Sequence, residues 1–154
     1  MGKLSTHVLD TTLGKPASNL EVSLYKKNED GYALVKTILT NKDGRCNEPL
    51  LENENFLSGG YELVFNVADY FTTQNIHSKF LQDVVIRFYV EDASQNYHVP
   101  LLITPYSYST YRGSWLFHKK IIKKNNVKNK NNLRINYEKN YSSSSSSKYL
   151  TICI

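Results

Sequence analysis

Apolar and polar residues alternate along much of the first hundred positions, and glycine, proline, asparagine and aspartate break the alternation at short intervals. In the first segment Val8 and Asp10 alternate with His7 and Leu9. Gly14, Lys15 and Pro16 then punctuate a turn, and Val22 and Leu24 alternate with Ser23 and Tyr25, which predicts strand, turn, strand. Asn-Glu-Asp-Gly at 28–31 is hairpin-turn chemistry, and 32–41 returns as a strand. A second Asp-Gly turn at 41–46 presents Arg45 just past its glycine, and Gly59 and Gly60 introduce a strand in 58–67. In 83–92 the residues Val84, Ile86, Phe88 and Val90 share one face, 93–96 turns the chain, and 97–113 returns as a pair of strands interrupted by prolines. Pro100 has no N–H to give a ladder, so an edge or a bulge is expected there. A short helix is predicted around 72–79.

Seven or eight strands at hairpin spacing with one helical insertion predict an all-β fold, a sandwich or barrel. Twelve tyrosines and six phenylalanines agree with strands. From Trp115 onward the character changes to Lys/Asn-rich sequence and then a run of six serines. The chain therefore divides into a domain over 1–114 and a basic Asn/Ser-rich tail over 115–154. Such a composition buries too little apolar surface to offset the entropy of ordering, so 119–148 is expected to be mostly disordered. The flanking pieces 115–117 and 149–154 are apolar enough to dock.

The net charge of +5 hides an asymmetry. Residues 1–114 hold 10 Lys+Arg against 13 Asp+Glu, a balance of −3, while 115–154 hold 9 against 1, a balance of +8. An acidic body argues against a nucleic-acid-binding domain, and neither nucleic acid nor membrane is an expected partner. No uncharged apolar run reaches the roughly eighteen residues of a bilayer span, and the N-terminus lacks the apolar core of a signal peptide. Cys46 and Cys153 have no metal-ligand spacing and suit a reduced intracellular chain. No metal site is expected.

Four histidines are available. His7 and His98 lie within strand patterns, where a histidine bonded to a backbone carbonyl is the commoner finding; His77 near the helix and His118 in the tail carry no catalytic weight. Arg45 reads either as a solvated turn residue or as a clamp for an anion or carbonyl. Asp10 is expected to be structural. There is no nucleophile elbow, phosphate-binding glycine loop, zinc-protease helix or Cys-x-x-Cys pair. An enzyme built from these residues is most simply a cofactor-free acid–base catalyst using histidine and arginine.

Three blocks, Leu-Ser-Thr-His-Val-Leu-Asp and its continuation at 4–17, Asn-Lys-Asp-Gly-Arg-Cys at 41–46 and 97–114 with its closing Tyr-Arg-Gly-Ser, resemble the signature blocks of the 5-hydroxyisourate hydrolases, the transthyretin-related enzymes of purine catabolism. The resemblance implies a transthyretin-like sandwich of about eight strands, with two four-stranded sheets and a short helix after the fifth strand. It also implies a homotetramer of paired dimers with active sites in the channel between them. Transthyretin itself, the hormone carrier, lacks counterparts of His7 and of the Tyr-Arg-Gly-Ser end, so the carrier is the second reading. Position by position, the resemblance assigns catalysis to His7, Arg45 and His98 and substrate binding to Tyr111, Arg112, Gly113 and Ser114, with no cofactor.

The implied reaction is hydrolysis of 5-hydroxyisourate, a small-molecule substrate, to 2-oxo-4-hydroxy-4-carboxy-5-ureidoimidazoline. His7 or His98 would take the proton from water, Arg45 would hold substrate oxygens, and Tyr111 and Ser114 would orient substrate or water. Family chains usually end at the serine, whereas Trp115 follows Ser114 here. The tail then exits to solvent, crowds the channel mouth, or is translated non-coding sequence, with the first and third ahead of the second. The expected compartment is the cytoplasm; family members also occur in the periplasm and in peroxisomes, but no Ser-Lys-Leu closes this chain.

Overall fold

A computed structural model describes residues 2–78 and 80–113. The expectations for 115–154, and for Ser114, Lys79, His118 and Cys153, lie outside those residues.

Among the described residues six strands are seven to nine residues long: β1 (Lys3–Asp10), β3 (Glu21–Asn28), β4 (Gly31–Leu39), β6 (Gly59–Asn66), β7 (Asp83–Val90) and β8 (Tyr97–Ile103). Three are short: β2 (Lys15–Pro16), β5 (Leu51–Glu52) and β9 (Tyr108–Thr110). They form two sheets. One runs β4-β3-β6-β7; the other runs β2-β1-β8-β9, with β5 also pairing to β1. The implied pair of four-stranded sheets is therefore a four and a five, the extra strand being the two residues of β5.

The alternation in the sequence is the alternation of burial. Leu4, Thr6, Val8 and Asp10 of β1 face inward, and Lys3, Ser5, His7 and Leu9 face outward. Leu4, Val8, Val22, Leu24, Leu63, Phe65, Leu101 and Ile103 are fully buried between the sheets. Each such side chain contributes roughly 1.5–3 kcal/mol of burial.

The first segment is strand, turn, strand, with β1 pairing antiparallel to the two residues of β2 across the turn, but its second long strand does not stay beside β1. β1 and β3 belong to different sheets, and β1 pairs in parallel with β8, from Leu4↔Tyr97 to Asp10↔Ile103. The buried Thr6 hydroxyl fixes this pairing by donating to the Val99 carbonyl at 2.7 Å. Pro100 is correspondingly on an inner strand rather than at an edge. Leu101↔Thr110 and the isolated bridge His98↔Gly113 share one register, so Pro100 falls opposite Tyr111, in the gap where β9 pairing lapses. The Thr110 hydroxyl donates to its carbonyl at 2.8 Å.

The helix also lies earlier than expected. It is α1 (Val67–Thr73), and it follows β6 directly. The Asn66 side chain caps it by accepting from the Asp69 N–H at 3.1 Å, and Val67, Tyr70 and Phe71 bury one face. Asn75, at φ 58°, follows just past its end.

Asp10 is structural, as expected. Fully buried, it accepts from the N–H groups of Thr12 at 2.8 Å and Leu13 at 3.0 Å and from the Tyr70 hydroxyl at 3.0 Å. Burial first, and then the hydrogen bond and charge of Asp10, push the Tyr70 phenol well above its ordinary value. Asp10→Ala strips three donors of their acceptor and is expected to lower the unfolding free energy by roughly 3 kcal/mol, read from urea denaturation.

Candidate active site

The outward face of the β1–β8 sheet carries the candidate residues in a row. The parallel register sets Ser5 beside His98 and His7 beside Pro100. On the far side of β1 an isolated antiparallel bridge joins His7 to Arg45, and on the far side of β8 another joins His98 to Gly113. Four adjacent backbones thus present Arg45, His7, His98 and Gly113 across one surface. Arg45 lies one strand from His7 and two from His98, which is level with Ser5 and so two residues along β1 from His7.

The turn that delivers Arg45 is held by its own backbone and by Asn41. The Asn41 N–H donates to the Arg45 carbonyl at 2.8 Å, and the Asn41 side-chain oxygen accepts from the N–H groups of Asp43 at 2.9 Å and Arg45 at 3.1 Å. Gly44 has φ +68°, and its carbonyl accepts from the Val8 N–H at 2.8 Å, which docks the turn onto β1. The Arg45 side chain is left exposed at the rim.

A cleft of about 840 Å³ opens here, lined among others by His7, Arg45, His98, Tyr111 and Gly113. That volume suits a small-molecule site. Burial lowers both imidazoles below their ordinary value, and the nearby Arg45 charge lowers both further; for His98, His7 adds to this. The backbone and charge of Asp43 at His7, and the Ser5 backbone at His98, act in the opposite sense. Both rings are therefore neutral and able to accept a proton at pH 7.

Tyr111 and Arg112 also line a second groove of about 430 Å³ between β7 and β8–β9. Arg112 turns toward that side. Its guanidinium stacks 4.4 Å from the Tyr97 ring centroid and donates to the Gln95 side-chain oxygen at 3.0 Å. Sequence reasoning singled out neither Asn41 nor Ser5. An Asn three residues before glycine in a turn is a legible Asx signal, whereas Ser5 meets His98 only through a pairing 93 residues apart. Among the described residues no group of three or more His, Cys, Asp or Glu could hold a metal ion.

Together the two-sheet architecture and this cleft define a transthyretin-like sandwich that carries a histidine–arginine site on the outer face of one sheet. Residues 4–113 match the model of the HIUase/Transthyretin family, and the chain belongs to that family. It is 50% identical over 116 residues to 5-hydroxyisourate hydrolase 2 of Rhizobium meliloti, covering 73% of this chain and 97% of that one. The solved 5-hydroxyisourate hydrolase of Klebsiella pneumoniae superposes with a TM-score of 0.63 at 32% identity, covering 74% of this chain and all of that one. Sea bream transthyretin, solved in complex with thyroxine, superposes with a TM-score of 0.69 at 25% identity, covering 75% of this chain and 98% of that one.

The neutral rings make a pH prediction. NMR titration of His7 and His98 is expected to give midpoints below about 6.5. Arg45→Gln removes a charge that disfavours protonation, so both midpoints move upward in that variant. Unchanged midpoints would place Arg45 electrostatically out of reach of both rings.

Proposed function

We propose that this chain hydrolyses 5-hydroxyisourate to 2-oxo-4-hydroxy-4-carboxy-5-ureidoimidazoline. The observation that carries the reading is the meeting of His7, Arg45 and His98 at one cleft, in a chain half identical to a hydrolase named for that substrate.

A neutral imidazole, of His7 or His98, accepts a proton from water as the oxygen bonds to the ring carbonyl carbon. Arg45 faces the oxygen that gains negative charge and stabilises it. Collapse of the adduct breaks the ring C–N bond, the nitrogen leaves with a proton, and the new carboxyl group ionises. Tyr111 lies at the cleft wall and orients substrate; Arg112 also borders the cleft while its guanidinium is held on the neighbouring groove by Tyr97 and Gln95.

The assembly is a homotetramer of paired dimers. In its support, β7 and β9 end their sheets with exposed Val85, Tyr89 and Tyr108, and the groove between the layers is mainly apolar at Ile86, Phe88 and Val99. Pairing at these edges leaves the cleft face free to close against a second dimer. Sedimentation of the full chain at the tetramer mass supports this assembly, and sedimentation at the monomer mass rejects it.

The test of the activity is product identity. Freshly generated 5-hydroxyisourate is mixed with the full chain and followed by carbon NMR. Appearance of the ureidoimidazoline carboxylate ahead of the spontaneous course supports the reading. Saturable binding with no faster product formation would instead make the chain a carrier.

A further inference from the structure

We propose that Ser5 and Gly113 are positioning residues that seat the His98 imidazole, Ser5 by accepting the proton on Nδ1 and Gly113 by leaving empty the space the ring occupies, so that Nε2 is the nitrogen that takes the proton from water. The assignment to water rests on the hydrolytic reading above; the seat itself does not.

Ser5 stands directly beside His98 in the parallel ladder, and its hydroxyl oxygen lies 3.0 Å from His98 Nδ1. A hydroxyl there serves either tautomer. As the acceptor of this pair the hydroxyl holds an Nδ1–H, and the Ser5 backbone beside the ring acts in the same sense, favouring a protonated imidazole. With Nδ1 donating to the Ser5 hydroxyl, Nδ1 carries the hydrogen of the neutral ring. The lone pair then sits on Nε2, the nitrogen bonded to Cδ2.

Gly113 closes the other side. Its N–H donates to the His98 carbonyl at 2.8 Å, so the two backbones cannot separate. A Cβ built on Gly113 would lie 2.6 Å from His98 Cδ2, 3.3 Å from Cγ and 3.4 Å from Cβ. Every one of these near atoms belongs to the His98 side chain. Gly113 is not among the glycines with positive φ, so the backbone conformation does not ask for glycine there. The ring does. Gly113 was implied above as a substrate-binding residue; its place in the fold makes it the floor under a catalytic ring.

The experiment uses the full chain and its Ser5→Ala, Ser5→Thr and Gly113→Ala variants. Imidazole nitrogen-15 shifts of His98 are recorded without substrate above pH 7, and kcat and KM are measured with 5-hydroxyisourate. The expected wild-type spectrum has hydrogen on Nδ1. In Ser5→Ala the His98 nitrogens move toward the mixed tautomers of free imidazole and kcat falls at least about tenfold while KM stays nearly level. Ser5→Thr keeps the hydroxyl and restores both. Gly113→Ala keeps its circular dichroism and loses kcat on a similar scale. A wild-type spectrum with hydrogen on Nε2, or kcat within twofold of wild type in both Ser5→Ala and Gly113→Ala, overturns the proposal. The spectra need no turnover, so an inactive wild-type chain with hydrogen on Nδ1 rejects the hydrolytic reading and leaves the seat standing.

Discussion

Arg45→Ala and His98→Ala each lower kcat/KM for 5-hydroxyisourate by at least about a hundredfold, the usual scale for losing an oxyanion group or an acid–base group. The folded domain survives both changes. Arg45 is exposed, and its turn is held by Asn41 and Gly44 rather than by its own side chain. His98 is half-buried on the outer face, away from the core between the sheets. The pattern of loss separates the two roles. Removing Arg45 removes charge stabilisation and lets the neighbouring imidazoles protonate at higher pH. Removing His98 removes a ring and leaves His7 beside Arg45. Near-wild-type kinetics in both variants, with unchanged thermal unfolding, would take both residues out of the mechanism.

Gly44→Ala is expected to cost both stability and activity. At φ +68° an L side chain is strained, and the added Cβ would lie 2.3 Å from the Val8 carbonyl oxygen. That oxygen cannot step aside, because it accepts from the Ala17 N–H at 3.0 Å while the Val8 N–H donates to Gly44 at 2.8 Å. The turn must lift off β1, and Arg45 lifts with it. Gly14 supplies the comparison: it has φ +65° but nothing within 4 Å of its added Cβ. Gly14→Ala is expected to cost only the left-handed strain, about 1 kcal/mol, with activity unchanged. Gly44→Ala is expected to cost roughly 2–3 kcal/mol in denaturant unfolding and more than tenfold in kcat/KM. Equal effects in the two variants would mean that the contact with Val8 does not set the position of Arg45.

The parts of this molecule legible in its sequence are the local ones. Val84, Ile86, Phe88 and Val90 were readable as one face of a strand because a strand repeats every two residues, and the Asp-Gly turns at 28–31 and 41–46 carry their own chemistry. The helix was placed too late because Val67 continues the apolar run of β6; the signal that marks its start is Asn66, three residues before Asp69. The meeting of His7 and His98 was not legible in the residues themselves. It depends on a parallel pairing across 93 positions, which only the family resemblance implied. The role of Gly113 was hidden for a related reason. A glycine that serves a neighbouring side chain, rather than its own backbone, leaves no mark in the local sequence.

One cleft built by His7, Arg45 and His98 hydrolyses 5-hydroxyisourate. This is tested most directly by the rate at which freshly generated substrate loses its ultraviolet absorbance, with the purified full chain, with Arg45→Ala and with buffer alone. Decay far above the spontaneous rate is expected for the full chain, and a return to nearly the spontaneous rate for Arg45→Ala. Decay by the full chain at the spontaneous rate would contradict it.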